Sequence, residues 1–174
     1  LDNGGKMERK DWRRAAVNTF VEKVYRSVKE LKPYVKFGIS PFGIWRPGNP
    51  KSIQGFDQYD MLYADARLWL QEGWIDYWTP QLYWSIRQAP QSFPVLLRWW
   101  QDQNIFGRHL WPGMYTRRFT GRKDPNEVLS QIMIARAFEM EKPGHIHFSM
   151  RGLLQNEENL NGLLKKQIYA DAAL

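Results

Sequence analysis

Phe37-Gly38-Ile39-Ser40-Pro41-Phe42-Gly43-Ile44-Trp45-Arg46 reads as the end of a β-strand running into a long loop. From Val35 to Ser40 apolar and other residues alternate with β-branched content, the pattern of a half-buried strand. Pro41 ends it, because proline has no amide hydrogen and holds the residue before it in an extended conformation. Pro41 to Phe56 is rich in Gly and Pro and forms the longest loop away from the termini, and long loops in compact domains are usually functional. Upstream, Val17, Phe20, Val21, Val24, Val28 and Leu31 recur at three- and four-residue steps, which places them on one face of a helix from Asp11 to Leu31 that Lys32-Pro33 stops.

This helix-then-strand unit, about residues 11–40, recurs three times. The second unit, about 57–79, has a helix with Leu62, Ala66, Trp69 and Leu70 as its apolar face, Gly73 closing it in a left-handed conformation, and a strand from Trp74 to Thr79. The third, about 92–113, packs Val95, Leu96, Trp99 and Trp100 inward and passes Asn104 and Gly107 into a strand at His109–Gly113. The fourth, about 124–149, opens on Asp124-Pro125-Asn126-Glu127, which has the spacing of a capping box. Its helix carries Val128, Leu129, Ile132, Met133, Ala135 and Phe138 as far as Lys142-Pro143-Gly144, and His145–Ser149 is the strand. A closing helix, about 157–169, presents Leu160, Leu163, Leu164 and Ile168 on one side, and the tail after it is expected to fray. Strands joined through helical crossovers must run parallel. A single domain over residues 1–174 is expected, either a small doubly wound sandwich or half of an eight-stranded barrel, whose full size is typically about 250 residues. The order of elements fits both.

Composition narrows the function. Nine Trp, eight Tyr and nine Phe indicate a heavy core or a stacking surface. The formal charge of +7 is spread over Arg13-Arg14, Arg117-Arg118 with Arg122-Lys123, and Lys165-Lys166, on different elements, and so reads as solvated surface rather than a nucleic-acid stripe. With no cysteine there is no disulfide, thiol nucleophile or thiolate metal site. No apolar run approaches membrane-spanning length, Leu1 to Lys6 lacks signal-peptide character, and the chain as written is expected to be soluble.

Three further segments stand out beside residues 37–46: Trp74-Ile75-Asp76-Tyr77-Trp78-Thr79-Pro80-Gln81-Leu82-Tyr83-Trp84, Asp11-Trp12-Arg13-Arg14 with Tyr63-Ala64-Asp65, and Gly107-Arg108-His109-Leu110-Trp111-Pro112-Gly113. Together they resemble the glycosyl-hydrolase-like family 10 of bacterial proteins. The resemblance runs from about Asp11 to the last helix and implies an α/β fold, half of a (β/α)8 TIM barrel with four parallel strands alternating with helices, equivalent to strands five to eight. It implies action on a bacterial glycan such as peptidoglycan and an extracytoplasmic place of work, in the periplasm or at the cell surface. The acidic strand-four motif that the family carries has no counterpart in this stretch.

In a barrel the active face lies at the carboxyl ends of the strands, so the loops after Ser40, Thr79, Gly113 and Ser149 are expected to converge. Ser40, Trp45, Arg46, Gln81, Tyr83, Trp84, Tyr115 and Arg151 are the candidate substrate-binding residues. Trp45, Tyr83, Trp84 and Tyr115 offer flat apolar faces to sugar rings, and Arg46, Gln81 and Arg151 offer hydrogen bonds of fixed geometry, unless the arginines pair with structural carboxylates. Trp12, Trp69, Trp99 and Trp100 read as core. His145 and His147 are expected to share one side of their strand and to line the barrel interior, leaving Ile146 and Phe148 toward the helices. No third ligand accompanies the two histidines, so neither a metal nor a cofactor is expected. Ser40 has no histidine partner for a triad.

Glycoside cleavage needs two flanking carboxyl groups, and these strand ends supply none. Asp76 falls at the start of its strand, on the stability face. Asp57, Asp60 and Asp65 belong to a helix, and Asp102, Asp124 and the glutamates read as helix surface or caps. The expected function is therefore the sugar-binding part of a glycoside hydrolase whose catalytic carboxylates lie on a missing N-terminal half, the fragment being inactive alone. The alternative is a non-catalytic carbohydrate-binding or scaffolding module, and a nucleic-acid binder is a weaker third. A half barrel has two bare edges, which either the missing half or a second copy would cover.

Overall fold

The computed structural model describes residues 5–120, 124–138 and 143–171. Arg122-Lys123, Lys142, the first four residues and the last three lie outside them. The chain has a mixed α/β fold of parallel strands and helices. Helix α1 (Arg9–Leu31) leads into β1 (Gly38–Ile39), followed by α2 (Gln58–Met61), α3 (Ala66–Gln71), β2 (Tyr77–Trp78), α4 (Phe93–Gln103), β3 (His109–Leu110) and β4 (Gly113–Met114). Then come α5 (Thr116–Thr120), α6 (Pro125–Phe138), β5 (Ile146–His147), α7 (Met150–Leu154) and α8 (Leu160–Leu163).

All ladders are parallel. Gly38 and Ile39 pair with Tyr77 and Trp78, which pair in turn with His109 and Leu110. Gly113 and Met114 pair with Ile146 and His147. Single bridges from Phe42 to Gln81 and from Gln81 to Gly113 carry the pairing across the gap between the two sheets. The expected third strand is thus two short ones, β3 and β4, parted at Pro112, which cannot donate to a ladder. The amides on either side still bond, Trp111 to the Trp78 carbonyl and Gly113 to that of Pro80.

Because side chains alternate across a strand, each register has one face toward the helices. Trp78, Leu110 and Met114 are buried there with Phe93, Leu96, Leu97 and Trp100 of α4 and with Val128, Leu129 and Ile132 of α6. Gly38 and Tyr77 occupy the other face. A Cβ on Gly38 would lie 2.3 Å from the Tyr77 ring, so glycine is needed for Tyr77 to cross it.

Several elements differ from expectation, each for a local reason. The helix expected over 57–72 is two helices. Asp57 and Asp65 each act as an N-cap, accepting from the amides of Asp60 and Leu68, and between them Tyr63 takes a left-handed conformation. Leu62 is consequently exposed, while Ala66, Trp69 and Leu70 are buried as expected. On α1 only Val21 and Arg14 are buried, and Phe20 and Leu31 face solvent. The closing helix breaks into a 3-10 turn (Glu157–Asn159), α8 and a π turn (Leu164–Ile168), with Glu158 and Asn159 left-handed, yet Leu160, Leu164 and Ile168 are buried as expected. The Glu127 carboxylate turns away from its own helix end to accept the Ile86 amide at 2.7 Å and the Gln131 amide group at 2.8 Å.

Asp76 sits just before β2, at the end of the sheet opposite the strand tips. Its carboxylate accepts the Phe37 amide at 2.7 Å and pairs with Lys29, joining α1, β1 and β2. Burial alone would raise its pKa, but the Lys29 and Phe37 hydrogen bonds outweigh burial and hold it below the ordinary 3.8. A carboxylate with a depressed folded pKa contributes stability that is present above its unfolded value and lost as pH falls through the folded one. Asp76→Asn is expected to cost about 1–2 kcal/mol at neutral pH. The gap between variant and parent should close below about pH 4 in urea titrations run across that range.

Candidate functional site

The strand tips enclose a hollow of about 220 Å³ on the face away from the helices. Ser40 follows β1, Thr79 and Tyr83 follow β2, Gly113 opens β4, and Phe148 follows β5, so their convergence is a direct consequence of parallel pairing. One wall is aromatic. The Tyr83 ring stacks on Phe148 at 5.4 Å between centroids and 23° between planes, and Tyr115 meets both at 5.5 Å. Burial raises the Tyr83 pKa, with Tyr115 adding to it, so the phenol is protonated at neutral pH. Thr116 donates its amide to the Phe148 carbonyl at 3.0 Å, which fixes the backbone of that wall.

The opposite side is polar. Gln81 donates from Nε2 to the Ser40 carbonyl at 3.1 Å, with the Ser40 hydroxyl at 3.5 Å. The Thr79 hydroxyl is buried and finds no hydrogen-bond partner among the described residues.

Of the candidate residues, Ser40, Gln81, Tyr83 and Tyr115 are brought together here. Trp45 is turned to the helix layer. Its Nε1 donates to Asp65 at 3.0 Å and its ring stacks on Trp99 of α4 at 5.9 Å. Arg46 lies over the Tyr59 ring and pairs with Asp57 at 3.3 Å, which is the structural-carboxylate alternative for that arginine. Trp84 meets Phe42 edge to face and covers Gly43, while its carbonyl accepts from the buried Gln131. Arg151 is exposed at the start of α7. Sequence reasoning missed Phe148 and Thr79. Both stand at strand ends like the residues chosen, but Phe148 was assigned to the wrong face.

Phe148, expected toward the helices, instead stacks on Tyr83 in the lining of the hollow. His145 and His147 share a face, as expected, their rings 5.0 Å apart, and His147 also belongs to that lining. His145 Nε2 shares a hydrogen bond with the Tyr169 hydroxyl at 2.6 Å and the two rings stack, while His147 Nδ1 lies 2.8 Å from Thr116 Oγ1. The physical reason for the placement of Phe148 is that it finds its aromatic partners, Tyr83 and Tyr115, at the hollow. Burial first, then the neighbouring charges of His147 and Arg136, push His145 down to about 4, and burial also lowers His147. Both are therefore neutral at pH 7.

The sign of the pH effect follows from these shifts. Between the unfolded value near 6.5 and the folded value near 4, the unfolded chain binds more protons, so the stability present above pH 6.5 is lost as pH falls through that window. Because His145 is only partly covered, the expected loss is about 1–2 kcal/mol by pH 4. Thermal melts between pH 7 and pH 4 should show it. A His145→Gln, His147→Gln double variant should show a flatter profile over the same interval.

The glycosyl hydrolase-like 10 family model matches residues 4–127, which contain β1 to β4 and most of the strand tips just described. The chain belongs to this family. Among similar proteins, "Glycosyl hydrolase YngK" of Bacillus subtilis (strain 168) is 40% identical over 176 residues, covering 94% of this chain and 34% of that protein. "Glycosyl hydrolase DigH" of Escherichia coli (strain K12) is 38% identical over 96 residues, 53% of this chain and 22% of that protein. The chain thus spans about a third, or less, of these relatives' lengths.

For a glycosyl hydrolase-like 10 chain the position of its carboxylates matters most. Among the residues that line the hollow there is no Asp or Glu. Asp57 and Asp65 cap helices, Asp76 closes the far end of the sheet, and Glu127 holds the Ile86 amide beside a separate surface cavity of about 650 Å³.

Proposed function

We propose that this chain is the sugar-holding portion of a glycoside hydrolase acting on a bacterial glycan such as peptidoglycan. The observation that carries the reading is the hollow at the strand tips of a glycosyl hydrolase-like 10 chain, lined by the Tyr83 and Phe148 rings, on which Tyr115 packs, and by Ser40 and Thr79, with Gln81 bonded to Ser40. A pyranose has an apolar C–H face and a rim of hydroxyls, and this pairing of surfaces suits both.

In this reading the strands form half of a (β/α)8 barrel. Parallel neighbours in chain order, helices packed on one face and a hollow on the other all support it. The carboxylates that break the glycosidic bond come from strands beyond this stretch, across the same hollow, and those strands also cover the outer edges of β1 and β5. A peptidoglycan substrate would place the protein outside the cytoplasmic membrane. The second reading, a non-catalytic carbohydrate-binding module, is favoured by the lack of Asp and Glu around the hollow.

Sedimentation of the protein with purified peptidoglycan glycan strands tests the shared part of both readings. Retention is expected, and Tyr83→Ala should weaken it about tenfold, the equivalent of ~1.4 kcal/mol. Trp45→Ala, which alters a ring packed on α4, should leave retention unchanged. If the parent is not retained, or if Trp45→Ala weakens retention as much as Tyr83→Ala, the hollow is not the glycan site. Release of soluble saccharide from the strands by this chain alone would show that the cleaving carboxylates are within it.

A further inference from the structure

Charge around the hollow carries more than sugar binding in general. In a chain of net charge +7, the residues lining it include no Lys, Arg, Asp or Glu. Its one titratable imidazole, His147, faces Thr116 and is kept neutral by burial. Of the arginines nearby in sequence, Arg46 pairs with Asp57, Arg117 with Glu157, Arg118 donates to the Tyr83 carbonyl at 3.1 Å, and Arg151 is exposed on α7, outside the residues that line the hollow. Besides His147, the polar side chains among the lining residues are those of Ser40, Thr79, Tyr77 and Tyr83, all uncharged, with the Gln81 carboxamide bonded to the Ser40 carbonyl beside them.

We propose that the hollow is a subsite for one uncharged pyranose ring, seated against the aromatic side made by Tyr83 and Phe148, and that it discriminates against a ring bearing a carboxylate. This rests on the glycan-binding reading above and deepens it by naming the substrate class of the subsite. The hollow, of about 220 Å³, has room for a single ring. A carboxylate brought here meets no Lys or Arg among the lining residues, and burying an unpaired charge costs far more than burying a hydroxyl that finds a partner. In a glycan that alternates neutral and carboxylate-bearing rings, the subsite therefore sets the register, taking the neutral ring and leaving the acidic one outside.

The test is calorimetric titration of the protein with β-1,4-linked trisaccharides of glucose, of N-acetylglucosamine, of glucuronate, and of glucuronate methyl-esterified at every ring. The neutral trisaccharides are expected to bind at least tenfold more tightly than the glucuronate trimer, and the methyl ester to regain most of the difference, which separates charge from size. Phe148→Ala changes a residue that is 50% exposed, so the variant should fold, and it should weaken the neutral trisaccharides. Ile146→Lys, at a rim position 39% exposed, should improve glucuronate binding relative to glucose. Glucuronate binding as tightly as glucose would overturn the discrimination while leaving the glycan reading standing. Neutral binding indifferent to Phe148→Ala would overturn the placement of the subsite. Failure of all four saccharides and of glycan strands to bind would remove the glycan reading and the subsite with it.

Discussion

Gly43→Ala is expected to destabilise the protein by about 3 kcal/mol or more, enough to lower its melting temperature by many degrees. Gly43 is buried in the long loop after β1, and a Cβ there would lie 2.3 Å from the Gln81 carbonyl oxygen and 2.9 Å from the Trp84 ring. The nearer atom is backbone, which cannot rotate away as the end of a flexible side chain can. Gln81 is also the residue whose bridges to Phe42 and Gly113 carry pairing across the gap between the two sheets. Any movement that admits the methyl group therefore shifts Gln81, and through it the polar side of the hollow. Differential scanning calorimetry of Gly43→Ala beside Gly5→Ala, where an added Cβ meets nothing within 4 Å, checks the claim. The first should melt far below the parent and the second with it. Equal melting temperatures would mean that the loop is free to retreat from Gln81.

The alternation of helix and strand was legible because it depends on periodicity and on punctuation by Pro and Gly, both local properties. Pro41 ending β1, Gly73 in a left-handed conformation after α3, and Pro125 opening α6 all stand where the pattern put them. What the pattern could not convey was direction. Trp45 and Tyr83 are both aromatic residues in loops after strands, and nothing in their neighbours separates them. Trp45 is claimed by Asp65 and Trp99, from 20 and 54 residues downstream, and Tyr83 by Phe148, from 65 downstream. The direction of Phe148 on β5 escaped for the same reason, since its partner Tyr83 lies on another element, as do Tyr169 and Thr116, the partners of the two histidines. The break between α2 and α3 is the instructive exception. Asp57 and Asp65, eight residues apart, cap separate helices, and apolar spacing that runs through Leu62 does not register the break between them.

Trp100→Ala should cost about 3–5 kcal/mol, and the way that cost divides would show what the aromatic richness is for. Trp100 is fully buried on α4, its ring 5.4 Å from Trp78 of β2 and 4.8 Å from Trp99, which in turn stacks on Trp45 of the long loop. Its Nε1 donates to the Gly43 carbonyl at 2.8 Å. The series Trp78, Trp100, Trp99, Trp45 thus ties strand, helix and loop together, so these tryptophans serve the core, and the stacking surface is left to Tyr83, Tyr115 and Phe148. Trp100→Phe keeps most of the ring contact but leaves the Gly43 carbonyl without its donor, and should cost about 1–3 kcal/mol by itself. Because Trp100 and Gly43 share that hydrogen bond, combining Trp100→Phe with Gly43→Ala should cost less than the sum of the two single changes. A double-mutant cycle from urea midpoints measures this directly. Additive losses would mean that the bond does not hold the loop, and that Gly43 is placed by its contact with Gln81 alone.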